Sequence, residues 1–592
     1  MSKPDSNATT QRPRTPWDPA HVVLALGLLI TAIIYLETLN FQFVYDDLTL
    51  IVRNPQVQSW RYLPYFFKEH LWASVAGQGN YYRPVFQVWL LLNHTFFGLD
   101  PMGWHLSTVA VHLGVTLLTY LLVLLLGGDR MTAAVAATLF GVHPVHIESV
   151  AWVAGVCDSL LSLFFLGALV SYLMSRKSPK EPRWRVLTLV LYALALLTKE
   201  VAGMLPVLVF GYEWIYGEAK LTRSQRARTA LVAVLPFAAV TAAYLGVRWL
   251  VLPPFQQPQG IGARQLLLTI PAAVVFYIRQ FFWPVGLSVY YDFAAVARPG
   301  IRELVLPCLV MLLAVAALVW INRQGRLAAF AVWWIALLML PPVVGMISFP
   351  KDELVHDRYL YLLSVGFVVL LALGFQWCRL RWPWLKRPQA VVAIVAAVAS
   401  ALGAATVTQN LYWANERSLF ERAVAMAPRS VPAADQLANE LYKHGQPERA
   451  LQLYRHALQL DDNSWMTYFS LGVTEFELEM YADSEQHLRR ATELSPRDPP
   501  QYYFLAVARM KQGKWSTAEQ PLGRAIELAP AARGLHYALG LALANQDKLE
   551  AARDQFAAEL KLDPSAADAR RGLEAVNQKL AGQQPAAPSG KP

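Results

Sequence analysis

Along the first 410 or so positions apolar residues do not alternate with polar ones; they come in long runs separated by short polar connections. A helix needs roughly 20 apolar residues to cross the hydrocarbon core of a bilayer. Eleven runs can each make one crossing, near 21–39, 104–126, 131–147, 150–174, 185–198, 200–216, 229–250, 303–321, 327–347, 357–377 and 389–410. A twelfth, at 264–284, contains Pro271 and Arg279 and is expected to re-enter the membrane or lie at its surface. No small-residue cleavage site follows the first run, so it reads as an uncleaved anchor.

From about Trp413 the pattern changes. Charged and amide residues become frequent, and a fixed period replaces the apolar runs. Pro428, Asp462, Pro496, Pro530 and Pro564 stand 34 residues apart. Five positions before each lie Ala423, Ala457, Ala491, Ala525 and, breaking the series, Glu559; eight before lie Phe420, Tyr454, Leu488, Leu522 and Phe556. Gly472 and Gly540 hold a small position early in their repeats, where Ala438 and Ala506 substitute. This is the tetratricopeptide pattern of paired helices, with about four full repeats after a partial one. Small residues let the two helices approach and large ones bury against the next repeat, which predicts a solenoid. The expected class is all-α: residues 1–20 a cytoplasmic tail, 21–412 a polytopic membrane domain, 413–570 the solenoid, and 571–592, poor in apolar residues, a disordered tail.

Composition agrees with this division. The 592 residues are 55% hydrophobic and 16% charged, too apolar for an ordinary soluble chain. The formal charge of +10 does not point to nucleic acid, because the basic residues sit in short connections: Lys3, Arg12 and Arg14 in the tail, then "SRKSPKEPRWR", "KLTRSQRAR", "INRQGR" and "CRLRWPWLKR". Such connections stay on the cytoplasmic side. All of them do so if the twelfth segment makes no full crossing, and eleven crossings then place the solenoid outside. Cys157, Cys308 and Cys378 form no metal-ligand or disulfide spacing.

The same topology brings polar residues at membrane depth to the outer face: Asp46, Asp47, Arg83, His143, His146, Glu148, Lys199, Glu200, Lys351, Asp352, Glu353, His356 and Arg358. Each alone reads as a charge that stops a helix. Together they form a mixed acidic and basic set, and ionisable groups at that depth usually line a site. A carboxylate there can take a proton from a hydroxyl, and Arg or Lys can hold a phosphate leaving group. A lipid-linked sugar phosphate needs both services. Trp60, Tyr62, Tyr65, Phe66, Phe67, Trp72, Tyr81 and Tyr82 crowd the first outer loop, as in an element lying at the interface.

The stretches "FQFVYDDLTLIVRNPQV", "NYYRPVFQVWLLLNHTFFGLDPMGWHLSTVAVHL", "AATLFGVHPVHIESVAWVAGVCDSLLSLFFL", "LLTKEVAGMLPVLVFGYEWI" and "HDRYLYLLSVGF", followed by the repeats, resemble the transmembrane and tetratricopeptide-repeat O-mannosyltransferases and their bacterial relatives. The resemblance runs in one order from residue 21 to about 570. It implies a membrane glycosyltransferase of the GT-C class that moves a sugar from a polyprenyl phosphate to Ser or Thr hydroxyls of proteins outside the cytoplasm. By that resemblance Asp46 and Asp47 are the catalytic acids, with Asp47 slightly favoured as base. Arg83, His143, Glu148, Lys199, Glu200, Arg358 and Tyr359 line the site for donor phosphate and sugar. The implied partners are a polyprenyl-phosphate sugar, an acceptor protein recruited by the repeats, and membrane lipid. A divalent metal is compatible with Asp46, Asp47 and Glu148 as oxygen ligands, and nothing in the spacing demands one. "GVCD" departs from relatives that carry a basic residue before the aspartate. The Ala- and Leu-rich character and the absence of a C-terminal retention signal suit a bacterial inner membrane with periplasmic repeats, so the sugar need not be mannose. In a eukaryote the same topology places the repeats in the lumen of the endoplasmic reticulum. The alternatives are a GT-C enzyme acting on a glycan or lipid, and a non-catalytic scaffold.

Overall fold

Away from water, a chain must satisfy its backbone N–H and C=O groups within each segment, so the apolar runs fold as helices. The computed structural model describes residues 18–73, 81–252, 261–351 and 353–583, and no strand occurs among them. Two compact units divide the chain, Met1–Arg422 and Ala423–Pro592. Asp352 and residues 1–17 and 584–592 lie outside the described residues.

The first unit contains thirteen main helices: α1 Pro19–Ile34, α2 Pro84–Phe97, α3 Pro101–Leu125, α4 Arg130–Val142, α5 Val156–Lys177, α6 Pro182–Thr198, α7 Leu205–Tyr216, α8 Arg223–Val251, α9 Ala263–Phe282, α10 Leu306–Ile321, α11 Arg326–Leu338, α12 Leu360–Arg381 and α13 Pro388–Asn410. Their starts are written in the sequence. Asp18, Asp100 and Asp129 each accept a hydrogen bond from a backbone N–H of the first turn, and proline opens α1, α2, α3, α6 and α13, where its missing donor is harmless.

Among the described residues nine helices are long and apolar enough to cross a membrane. Eight coincide with expected crossings; the ninth is α9. The three remaining expected crossings are the shorter helices α4, α6 and α7, of 13, 17 and 12 residues. At 1.5 Å per residue α4 and α7 reach only about 20 Å, against a hydrocarbon core of about 30 Å. The chain beyond α4 and between α6 and α7 carries His143, Glu148, Lys199 and Glu200, so these polar residues are set where the helices stop short.

Close packing centres on small residues, as suits helices that gain no hydrophobic drive from lipid. A Cβ on Gly27 of α1 would lie 2.2 Å from Thr138 Oγ1 of α4, and one on Gly141 of α4 would lie 2.3 Å from Thr31 Oγ1 of α1. The two helices therefore touch backbone to side chain at two levels. The segment expected to re-enter the membrane or lie at its surface is one continuous helix, α9, with Pro271 inside it. Near its C-terminal end Phe281 stacks on His143 and on Phe367, each with centroids 4.6 Å apart.

In the second unit the period becomes helix pairs: Val431–Lys443 with Pro447–Leu460, Trp465–Glu477 with Tyr481–Leu494, Pro499–Lys511 with Trp515–Leu528, and Leu535–Ala544 with Leu549–Leu562. A Cβ on Gly472 would meet Leu488 Cγ at 2.7 Å, and one on Gly540 would meet the Phe556 ring at 2.7 Å. The small position of each repeat thus faces its own large one. Glu559 breaks the alanine series because its carboxylate accepts hydrogen bonds from the Gly534 and Tyr537 N–H groups at 2.6 and 3.2 Å, closing the start of the neighbouring helix. Residues 571–583, expected in the tail, belong to a last helix, Ala567–Gln583, which buries Ala569 and Val576. Its few apolar side chains suffice because they fall on one face, against Phe556.

Gly472→Val should force Leu488 outward and destabilise this unit by about 1–3 kcal/mol, the usual cost of overpacking. Amide hydrogen exchange should accelerate across Trp465–Leu494 while α1 to α13 keep their protection.

Candidate functional site

The approach to the site begins at Tyr45, whose φ of 58° is left-handed and costs a non-glycine residue about 1–2 kcal/mol. Its ring is held by Trp152, Tyr290 and Phe420, with centroids 5.5, 6.3 and 6.1 Å away, and its hydroxyl lies 3.0 Å from that of Tyr290. This kink turns the next two residues in different directions. Asp47 is fully buried and accepts hydrogen bonds from Ala154 N at 2.7 Å and Val44 N at 3.1 Å, one on each oxygen. Burial pushes its pKa up to about 8, against the pull of those backbone N–H groups. Asp46 is only partly buried. Burial raises its pKa to about 6; the Arg358 charge works downward and the Glu353 carboxylate upward.

Three cations gather here, each with its own carboxylate. Arg358 gives its backbone N–H to Glu148 Oε2 at 2.8 Å and its Nη1 to Glu148 Oε1, and its guanidinium also lies over the Trp152 and Tyr359 rings. Lys199 Nζ donates to both oxygens of Asp158, at 2.7 and 2.8 Å. Arg83 Nη2 donates to Glu200 Oε1 at 3.2 Å, its Nη1 faces Cys157 Sγ at 3.8 Å, and the guanidinium covers the Tyr81 ring. Tyr359 joins the set, with Lys199 Nζ 5.5 Å from its centroid, and stacks on Phe349. Asp46, Arg83, Glu148, Lys199, Glu200, Arg358 and Tyr359, drawn from five separate stretches of chain, are therefore linked into one cluster.

His143 does not join it. Its Nδ1 accepts from Val145 N at 3.2 Å and its Nε2 is 3.0 Å from the Phe281 carbonyl, so one nitrogen caps the turn after α4 and the other ties that turn to α9. Within the "HPVH" turn His143 acts as a cap. His146 bonds Ser364 Oγ at 2.9 Å within a buried group that includes His112 and Tyr361.

Several participants were not expected. Asp158, at the end of the "GVCD" stretch, is the partner of Lys199; an acid in the first turn of an otherwise apolar helix is its signal in the sequence. Asp357 accepts from the Tyr291 hydroxyl and from Gln280 Nε2 at 3.0 Å, tying α9 and the following loop to the start of α12. Trp152, 5% exposed, has no hydrogen-bond partner for its indole N–H among the described residues. Among those residues no three His, Cys, Asp or Glu side chains are placed to hold a metal.

The dolichyl-phosphate-mannose-protein mannosyltransferase family matches residues 75–251, and the tetratricopeptide repeat family matches 436–499 and 503–567. One stretch of the chain thus resembles that mannosyltransferase family, and a later one resembles tetratricopeptide repeats. Protein O-mannosyl-transferase TMTC3 of Homo sapiens is 24% identical over 513 residues, 80% of this chain and 55% of its own. TMTC1 of Homo sapiens is 27% identical over 484 residues, 72% of this chain and 54% of its own. TMTC2 of Homo sapiens reaches 35% over 152 residues, 25% of this chain and 18% of its own. The chain spans about half the length of the curated relatives TMTC3 and TMTC1 that it matches. Within the mannosyltransferase-like domain the matched stretch contains Arg83, His143, Glu148, Lys199 and Glu200, while Asp46, Asp47, Arg358 and Tyr359 lie beyond its ends.

Asp47→Asn should replace one acceptor oxygen by an amide that faces a backbone N–H, leaving that donor unpaired at a cost of about 1–3 kcal/mol. Asp46→Asn should change stability far less. Thermal unfolding of the two variants in detergent checks the difference.

Proposed function

We propose that the protein is a membrane glycosyltransferase that moves a sugar, mannose or another hexose, from a polyprenyl-phosphate donor to Ser or Thr hydroxyls of proteins on the extracytoplasmic face. The observation that carries this reading is the meeting of one partly exposed carboxylate, Asp46, with the charge of Arg358, in a cluster that also holds Lys199 and Arg83. The names of its relatives support the sugar and the acceptor class.

Asp46 is the base. Its raised pKa leaves it ionised at neutral pH yet basic enough to accept a hydroxyl proton, whereas both oxygens of Asp47 are occupied. As the acceptor oxygen bonds to the anomeric carbon, the bond from that carbon to the phosphate oxygen breaks and its electron pair stays on phosphate. The hydroxyl proton goes to Asp46, and the configuration at the anomeric carbon inverts. Lys199 and Arg358 each keep N–H donors beyond those given to Asp158 and Glu148, and with Arg83 they receive the growing phosphate charge. Glu148 and Asp158 position these cations. Asp47 anchors the Asp46 backbone to the 153–155 turn. The repeats hold the acceptor near the membrane and raise its effective concentration.

The topology belongs to the same proposal. α9 lies along the outer side, since its last turn contacts His143 and Asp357 at the mouth of the site, and the solenoid is extracytoplasmic.

Asp46→Asn should lower transfer from a polyprenyl-phosphate sugar to membrane-extract proteins by about 10²–10⁴-fold, the range for loss of a general base. Labelling equal to the unchanged protein removes Asp46 from the role. In the unchanged protein the rate should fall tenfold per pH unit below about 6, where Asp46 takes up its proton, and level off above. A profile flat from pH 5 to 7 contradicts the assignment. Reporter fusions at Gly325 and Gly445 should report opposite sides of the membrane.

A further inference from the structure

The three ion pairs of the cluster are unequal. Glu148 meets Arg358 through both oxygens and is 2% exposed at its side chain; Asp158 meets Lys199 through both oxygens and is 10% exposed. Glu200 meets Arg83 through one oxygen at 3.2 Å and is 44% exposed, while Arg83 is 14% exposed. Arg83 is also the least satisfied cation: its Nε is buried without a partner among the described residues, and Nη1 has only the Cys157 sulfur, a weak acceptor. A second anion arriving beside Arg83 would find donors waiting. Opening the pair returns Glu200 to water at little cost, which is not true of Glu148 or Asp158.

We propose that Glu200 is an exchangeable counter-ion, displaced from Arg83 by the phosphate of the polyprenyl lipid and returning to expel that phosphate after transfer. The inference rests on the transfer reading for its lipid. A polyprenyl-phosphate sugar is a phosphodiester with one negative charge; the polyprenyl phosphate left behind is a monoester carrying about 1.5–2 negative charges at neutral pH. Product is therefore attracted to Arg83 more strongly than donor, and an unopposed arginine would retain it. A carboxylate tethered beside the guanidinium competes at high local concentration and restores the balance. Glu200 thereby sets the affinity for the lipid phosphate without touching the sugar.

The test is binding of a polyprenyl monophosphate to the full chain in nanodiscs, read without any transfer step. Glu200→Gln should tighten binding at least fivefold, Glu200→Asp should stay within twofold of the unchanged protein, and Arg83→Gln should weaken it. Glu200→Gln combined with Arg83→Gln should bind no more tightly than Arg83→Gln alone. Unchanged or weaker binding by Glu200→Gln, in a protein whose thermal unfolding matches the parent, overturns the exchange. So does equal displacement of the lipid from the parent by inorganic phosphate at the same concentration, which would make the ligand free phosphate. Tightening by Glu200→Gln in a protein that transfers no sugar leaves the exchange standing and removes the transfer reading. Transfer without tightening does the reverse.

Discussion

A bare cation cannot be kept waiting in a largely buried place. Arg83, Lys199 and Arg358 are 14%, 7% and 20% exposed at their side chains, and an unpaired charge so placed is strongly unfavourable. Each is therefore folded together with a carboxylate from another stretch of chain: Glu200, Asp158 and Glu148. Most of the acids in the cluster are a consequence of the bases. For the pairs made by Asp158 and Glu148, removing one partner leaves the other charge buried alone, so their members stand or fall together. The mixed character of the polar set, which distinguishes it from ordinary helix-end charges, follows from that constraint.

The pairs can form only because the helices around them end early. α4 has 13 residues and α7 has 12; the turn after α4, Pro144–Ser149, and the turn before α7, Glu200–Met204 with Lys199 at its N-cap, bring Glu148, Lys199 and Glu200 into reach of Arg358, Asp158 and Arg83. Such irregular backbone is tolerated at this depth because protein surrounds it. The turn after α4 is itself braced by its own residues: His143 caps it, and a Cβ on Gly155 would lie 2.1 Å from the Glu148 carbonyl. Gly155 is thus the residue that lets this turn close against the start of α5.

The repeats were fully legible, because a 34-residue period with a small residue facing a large one records a contact within each repeat. The apolar runs were legible too, though not their lengths, since a run says where a helix fits and not where its hydrogen bonding stops. In segment 264–284 Pro271 and Arg279 interrupt an apolar run without breaking the helix. In residues 571–583 average composition hides two side chains that fall on one face. Pairings were the least legible. Asp158 lies 41 residues from Lys199 and Glu148 lies 210 from Arg358, and a single sequence carries no sign of which acid meets which base. His143 enters the candidate set through the resemblance, and its capping of the turn after α4 has a plain local cause: a short turn with unpaired N–H groups needs an acceptor.

The adjacency of Asp46 and Asp47 finds its reason in the same economy of contacts. Two neighbouring side chains cannot both enter one small site, and the left-handed Tyr45 ahead of them already imposes a sharp turn. That turn persists only if something beyond it holds the backbone. Asp47 does so, reaching across 107 residues to Ala154 N and back to Val44 N. The loop after α1 is thereby fastened to the very segment, 148–158, that supplies Glu148 and Asp158. A single aspartate could either face the cluster or fix the loop. With two in succession the inward one anchors the backbone, and the other is held out toward Arg358.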